Sequence, residues 1–124
     1  MEQIHTDDAP VFDLPFSQAT KHGDTIYLSG QVPLDPETGE MVEGDIEEQT
    51  HQVMRNARAI LEAGGSSLDK ILKAQVFLTD IDDFDDFNAV YGEYVSDPKP
   101  ARSAYEVSDL AVDIVVEIDF IAEA

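Results

Sequence analysis

The clearest pattern along the chain is an alternation of apolar and polar residues around Gly23. After this glycine, Ile26 and Leu28 alternate with Tyr27 and Ser29, which is the two-residue period of a strand with one buried face. Because glycine permits a tight reversal of the backbone, the segment predicts a β-hairpin.

Two other segments repeat apolar residues every three or four positions, which is the period of an amphipathic helix. The first can be capped by Asp45, with Glu48 three residues later, and it ends at Gly64 and Gly65. The second has an aromatic face and an acidic face, and two prolines end it. The apolar positions of the two helices are Ile46, Val53, Ala57, Ile60, Leu61, Phe84, Phe87, Tyr91 and Tyr94.

Four further segments are predicted as strands: a short one at Gln3–Thr6, then residues 71–80, 101–108 and 114–122. Residues 33–44 contain several prolines and glycines and predict turns. In the strand over 71–80, one face is expected to carry Leu72, Ala74, Val76 and Leu78. The order ββ-α-β-α-ββ predicts an α+β fold, in which a mixed β-sheet carries two helices on one face.

The last predicted strand shows that the sheet has a second face to cover. Its helix side would carry Ile114, Val116, Ile118 and Phe120, and its other side Val115, Glu117, Asp119 and Ile121. An exposed face that is mostly apolar indicates an interaction surface. Self-association is the simplest way to cover it.

Composition adds a strong negative charge to this picture. The chain has 124 residues, with 27 acidic and 7 basic side chains and a net charge of −20. This charge disfavours nucleic acid as a partner, because phosphate binding requires lysine and arginine. Since the acids are spread along the whole chain, we interpret the chain as a halophilic acidic protein, adapted to a salt-rich cytoplasm that screens the repulsion.

The length of the chain is typical of a single domain, which would extend over residues 1–124. No signal peptide is recognisable and no apolar run approaches the roughly 20 residues of a membrane span, so a soluble, cytoplasmic protein is expected. There is no cysteine. The three histidines are scattered and lack ligand spacing, so no metal site is predicted.

Arg102 is a first candidate for chemistry, because it follows Pro98 and Pro100 at the start of a predicted strand. Its planar guanidinium group could grip the carboxylate of a substrate at two points. In so acidic a chain, the alternative is a surface ion pair of little energetic value.

Glu117 is a second candidate, because it interrupts the apolar run "IVVEIDFI". A carboxylate among apolar neighbours can have a raised pKa and can position water or move a proton. The alternative is a solvated edge position. Ser29 and Gly30 end a strand where a ligand could approach the backbone, or they form an ordinary turn. Asn88 lies on the second helix, where a surface asparagine is ordinary.

Together, the segments "IYLSGQVPLDPETGEMV", "AGGSSLDKILKAQVFLTDIDDFDDFNAVYGEYV", "PARSAYEV" and "VEIDFIA" resemble the RidA (YjgF-type) family of reactive-intermediate deaminases. The resemblance extends from about residue 9 to residue 122. It implies a chorismate-mutase-like fold and a homotrimer whose active sites lie between subunits. It also implies hydrolysis of 2-aminoacrylate and other 2-imino acids to 2-keto acids and ammonia without a cofactor, which protects pyridoxal-phosphate-dependent metabolism.

The resemblance assigns roles to individual residues. Arg102 of P-A-R-S would bind the substrate carboxylate, and Glu117 of V-E-I would position water and act with Arg102 in catalysis. Substrate-binding positions would be Phe16, Ser29, Gly30, Asn88 and Ala104. Phe16 replaces the tyrosine of many members, and Ala104 replaces the cysteine of several, where the backbone is expected to act.

Three other functions remain open at this point. The first is a trimeric module that binds small carboxylates and regulates a partner without turnover. The second is the RNA-directed activity of some family members, which the charge opposes. The third is chorismate mutase on the same fold, for which one arginine is too few to bind a dicarboxylate.

Overall fold

A computed structural model describes the whole chain, residues 1–124. Two short 3-10 turns, Leu68–Lys70 and Ile81–Asp83, accompany two helices, α1 (Ile46–Ala63) and α2 (Phe84–Tyr91). The strands are β1 (Glu2–Ile4), β2 (Ala19–His22), β3 (Thr25–Gln31), β4 (Leu34–Asp35), β5 (Glu40–Met41), β6 (Ile71–Leu78), β7 (Ala101–Glu106) and β8 (Val116–Glu123). The predicted hairpin, both helices and the α+β fold class are confirmed.

Six strands form one mixed sheet in the order β1-β2-β3-β8-β6-β7, and β4 pairs with β5 beside it. Neighbouring strands of the sheet are antiparallel, except that β7 runs parallel to β6 at the edge. The parallel pair follows from its connection, because α2 lies between the two strands and returns the chain to the end where β6 began.

The core lies between one face of the sheet and the two helices. It includes Ile26, Val76, Val116, Ile118 and Phe120 from the strands and Val53, Met54, Ile60, Leu61 and Phe87 from the helices. Burying each of the larger side chains contributes about 1.5–3 kcal/mol. The predicted helix-side residues of the last strand are all buried, whereas Val115, Glu117, Asp119 and Ile121 are only half-buried.

The start of α1 shows how the sequence fixes a helix boundary. The Asp45 carboxylate accepts hydrogen bonds from the backbone N–H groups of Glu47, at 3.1 Å, and Glu48, at 3.2 Å. Such a cap contributes about 1 kcal/mol. The Glu48 side chain lies against Gly44, so the second half of a capping box is not formed.

Three details of the prediction were wrong. A bulge in the pairing of β6 with β8 places Ile71 in the core and leaves Leu72 49 % exposed, which reverses the expected face at this end of β6. The segment predicted as turns contains the β4–β5 hairpin. α2 ends at Tyr91, so Tyr94 lies in the turns that follow the helix. None of the helices is long and apolar enough to cross a membrane.

Candidate active site

Arg102 lies on the edge strand β7, and its side chain points to the helix side of the sheet. Its Cα pairs with that of Ala74, which is buried in the core. The Arg102 Nη1 donates a hydrogen bond of 2.7 Å to Oδ1 of Asn88 on α2. The predicted arginine and asparagine are therefore in direct contact.

Three aromatic rings complete the surroundings of this guanidinium group. Its central carbon lies 5.5 Å from the ring centre of Phe84, 5.6 Å from that of Phe87 and 5.1 Å from that of Tyr91. Each such cation–π contact contributes about 0.5–1 kcal/mol or more where water is excluded. The four residues around the guanidinium, hereafter the arginine seat, are Phe84, Phe87, Asn88 and Tyr91 of α2.

The arrangement excludes the ion-pair interpretation of Arg102. The only ion pair of a lysine or arginine in the structure is Lys99 with Asp97, at 2.9 Å, and the one other contact of this kind joins His5 and Asp7, at 3.1 Å. Arg102 thus keeps its positive charge uncompensated in a chain of 27 acids. A guanidinium group has five N–H donors, and its one hydrogen bond within the protein goes to Asn88. Donors remain for the carboxylate of a ligand.

Tyr91 contributes one unusual atom to the seat. Its hydroxyl group is buried and has no hydrogen-bond partner. Burial raises the pKa of Tyr91, and the nearby positive charge of Arg102 opposes this shift. The ring face of Tyr91, rather than its hydroxyl group, therefore supports the arginine.

Glu117 lies on β8 and points to the other face of the sheet, where its Cα pairs with that of Phe77. Burial raises the pKa of Glu117 above its ordinary value of 4.5, and the negative charge of Asp119 raises it further. Burial also raises the pKa of Asp119, although Lys73 partly offsets that shift. Glu117 is thus a carboxylate that takes up a proton more readily than usual.

Gly30 leaves the space that the Glu117 carboxylate occupies. The pairing of β3 with β8 is irregular between Leu28 and Gln31, and the glycine lies within this stretch. A Cβ atom at position 30 would overlap the Glu117 carboxylate. Beside it, the Ser29 hydroxyl donates a hydrogen bond of 2.6 Å to the Ser17 carbonyl. Glycine is required here because of close approach and not for a tight turn.

A pocket of about 380 Å³, hereafter the apolar pocket, opens beside these residues. Four of its lining residues are predicted site residues: Phe16, Ser29, Gly30 and Glu117. The rest of its wall is apolar and comes from Phe12, Leu14, Val32, Met41, Ala111 and Val112. Phe16 and Glu117 are therefore brought together, although they are distant in sequence.

The predicted site residues thus fall into two groups. Phe16, Ser29, Gly30 and Glu117 line the apolar pocket, whereas Asn88, Arg102 and Ala104 belong to the helix side of the sheet and its β7 edge. Ala104 pairs with buried Val76, as Arg102 pairs with Ala74. Because Arg102 and Glu117 point to opposite faces, one chain does not present both of them to the same ligand.

Sequence reasoning missed two sets of neighbours. The aromatic rings of the seat were interpreted only as the aromatic face of the second helix, although their spacing around Asn88 was visible. The apolar wall includes Phe12, Leu14 and Val112, which lie in irregular segments without periodicity. The presence of apolar residues in segments without periodicity was the available signal. No group of three or more histidine, aspartate or glutamate side chains is placed to hold a metal ion.

Comparison with known proteins gives matches along nearly the whole chain. The family model described as Endoribonuclease L-PSP matches residues 6–124. A RutC family protein of Pyrococcus horikoshii is 50 % identical over 121 residues, which are 98 % of this chain and 96 % of that protein. Reactive Intermediate Deaminase A of Arabidopsis thaliana chloroplasts is 40 % identical over 98 % of this chain and 65 % of its own length. The crystal structure of RidA from an Antarctic Psychrobacter is 44 % identical, has a TM-score of 0.96 and is covered completely, as is this chain.

Proposed function

The chain belongs to the Endoribonuclease L-PSP family, which includes RutC- and RidA-type proteins, and from this membership we propose that it is a 2-imino acid deaminase. It would hydrolyse 2-aminoacrylate and related imino acids, such as 2-iminobutanoate and 2-iminopropanoate, to 2-keto acids and ammonia. In the cell, the reaction would remove reactive products of pyridoxal-phosphate enzymes. The chain's own residues would suffice, without a cofactor.

Within this proposal, the opposite orientation of Arg102 and Glu117 is the observation that supports a site shared between two copies of the chain. A complete site needs the β7 edge of one copy against the apolar pocket of another. A head-to-tail contact of this kind closes into a ring, and a homotrimer would contain three such sites. The same contact would cover the half-buried residues Val115, Asp119 and Ile121 on the second face of the sheet.

In the proposed mechanism, the guanidinium of Arg102 binds the substrate carboxylate through paired hydrogen bonds. Glu117, as the carboxylate, accepts a proton from water while the water oxygen bonds to the imine carbon. The electron pair of the C=N bond moves to nitrogen, which takes this proton from Glu117. Glu117 then accepts the proton of the new hydroxyl group and passes it to the same nitrogen, so that the C–N bond breaks, the C=O bond forms and ammonia leaves. Orientation and proton transfer are the enzyme's contributions.

A mixing experiment tests the shared site. Arg102→Ala and Glu117→Gln subunits, carrying different tags, would be co-expressed in equal amounts and assayed for 2-keto acid release from an imine. In a randomly mixed ring, about one quarter of the sites combine an intact arginine with an intact glutamate. Activity near that fraction of wild type supports the proposal, and activity no higher than that of either variant alone contradicts it.

A regulatory module that only binds small carboxylates would use the same arginine. It would bind a 2-keto acid but would not accelerate imine hydrolysis in a semicarbazide-trapping assay. The endoribonuclease activity in the family's description is less favoured for this chain. Its 27 acids and 7 bases repel a phosphate backbone, and only a salt-rich medium would screen that repulsion.

A further inference from the structure

We propose that Gln18 is a positioning residue for the proposed reaction, because its side chain holds the loop that shields Glu117 from water. This loop, hereafter the front loop, comprises residues 5–17 and connects β1 to β2. Gln18 does not line the apolar pocket, so it would act through the loop. The inference rests on the proposed function, because it concerns the surroundings of the carboxylate that handles protons in that reaction.

The front loop has few hydrogen bonds of its own. It contains no helix or strand, and its one bond between backbone groups joins the Phe16 N–H to the Leu14 carbonyl, at 2.8 Å. Both of these side chains are more than half exposed. Because an irregular segment of this kind gains little order from its own backbone, contacts with the rest of the fold must fix its conformation.

The side-chain amide of Gln18 supplies these contacts. Its Oε1 accepts a hydrogen bond of 2.8 Å from the Thr6 N–H, and its Nε2 donates bonds of 2.9 Å to the carbonyls of Thr6 and Pro10. The amide thus pairs with both backbone groups of Thr6, as a neighbouring strand would, just beyond the end of β1. Gln18 is 8 % exposed, and its own carbonyl accepts a bond of 3.0 Å from the Ser29 N–H on β3. One buried residue therefore joins the front loop to the strand that carries Gly30.

The front loop in turn determines the surroundings of Glu117. It contributes Phe12, Leu14 and Phe16 to the wall of the apolar pocket, and the ring centres of the two phenylalanines lie 6.1 Å apart. Burial is the larger cause of the raised pKa of Glu117. A loop released from Gln18 would admit water to the carboxylate, and its pKa would fall toward the ordinary value of 4.5.

Fixed charges do not account for most of this effect. The charged side chains on the elements around Glu117 are Asp119 on β8, Lys73 on β6, Asp13 in the front loop and Asp113 in the segment before β8. Of these, only Asp119 contributes to the raised pKa of Glu117, and it does so less than burial. A change at Gln18 would leave all four charges in the chain and alter the access of water.

Gln18→Met tests the proposal, because methionine has a similar length but lacks the amide. Backbone amides of the front loop should exchange hydrogen faster, and the acid limb of the kcat/KM profile for imine hydrolysis should move to lower pH. At neutral pH, kcat/KM should fall about tenfold because the wall of the site is displaced. Gln52→Met is the matched control, since Gln52 is 9 % exposed and its amide donates to Asn56 within α1. It should change neither the exchange of the loop nor the acid limb.

The outcomes separate this inference from the function on which it rests. If the wild type does not accelerate imine hydrolysis, the proposed deaminase fails, and the role of Gln18 in that reaction fails with it. If the wild type is active and Gln18→Met keeps its acid limb, only the role of Gln18 is contradicted, even where the loop exchanges faster.

A milder variant and the wild type cover the case in which Gln18→Met does not fold. Gln18→Asn has an amide that is one methylene shorter, and it should shift loop exchange and the acid limb in the same directions. In the wild type, the Thr6 amide should exchange slowly because it donates to the buried Gln18 Oε1. Fast exchange of this amide would contradict the proposal without any variant.

Discussion

The arginine seat and the apolar pocket each hold one ionisable group, but the surroundings of the two groups differ. The seat surrounds Arg102 with ring faces and one amide oxygen, which attract its positive charge and fix the direction of the guanidinium group. The pocket surrounds Glu117 with apolar side chains, and Asp119 adds a like charge, so the charged form is disfavoured. One region thus holds a permanent charge with N–H donors to spare, and the other holds a carboxyl group that takes up a proton more readily than usual.

Among the variants considered, Glu117→Gln in the apolar pocket should have the largest effect on activity. The amide keeps the shape of the side chain but cannot accept a proton from water, so kcat should fall about 100-fold or more. Binding of a 2-keto acid, measured by calorimetry, should remain because Arg102 is intact. Asp119→Asn is a matched control on the same face and should retain most of the activity. Full imine hydrolysis by Glu117→Gln would remove the carboxylate from the mechanism.

Arg102→Ala, which empties the arginine seat, should have a somewhat smaller effect on activity. Loss of a charged hydrogen-bonding contact costs about 1.5–3 kcal/mol, which corresponds to a fall of roughly ten- to hundredfold in kcat/KM. Keto-acid binding should weaken in parallel, which distinguishes this variant from Glu117→Gln. Arg102→Lys keeps the charge but lacks the planar fork, and it should restore only part of the affinity. Unchanged kcat/KM in Arg102→Ala would contradict the assignment.

The pH dependence should sharpen the comparison, because the apolar pocket holds a carboxyl group whose pKa is raised. In the proposed mechanism the ionised form of Glu117 accepts the proton, so activity should rise with pH through a pKa above 4.5. Stability should move the other way: a raised pKa in the folded state favours the protonated form, and this contribution is lost as pH rises through that pKa. Asp119→Asn should shift the acid limb of the kcat/KM profile to lower pH. A limb at or below 4.5 would show that burial does not perturb Glu117.

The smallest expected effect concerns the seat. Tyr91→Phe removes a buried hydroxyl group that has no partner, while the ring against Arg102 stays. The free energy of unfolding, measured by urea denaturation, should rise by about 1 kcal/mol. Phe87→Leu, which removes a ring from the same seat, should lower it instead. A loss of stability in Tyr91→Phe would mean that the hydroxyl group has a partner.

Sequence periodicity was sufficient for most of the fold and insufficient for the site. The alternation after Gly23 and the capped start at Asp45 are local signals, and both elements formed where they were predicted. The bulge at Leu72 could not be read, because it depends on how β6 pairs with β8. Local pattern specifies which residues alternate, but the pairing of strands decides which face each residue joins.

The same limit applies to the site residues. Arg102 and Glu117 were identifiable one by one, yet their opposite orientations depend on the registers of β7 and β8 against β6. The close approach of Gly30 to Glu117 likewise depends on an irregular pairing of two strands distant in sequence. These relations exist only after the sheet is assembled.

The opposite orientation of Arg102 and Glu117 also has a consequence for concentration. If every working site needs two copies of the chain, the specific activity depends on the concentration of the protein. Dilution below the dissociation constant of the ring should lower activity per subunit steeply while each subunit remains folded. The amount of protein that a cell makes would then set a threshold for imine removal.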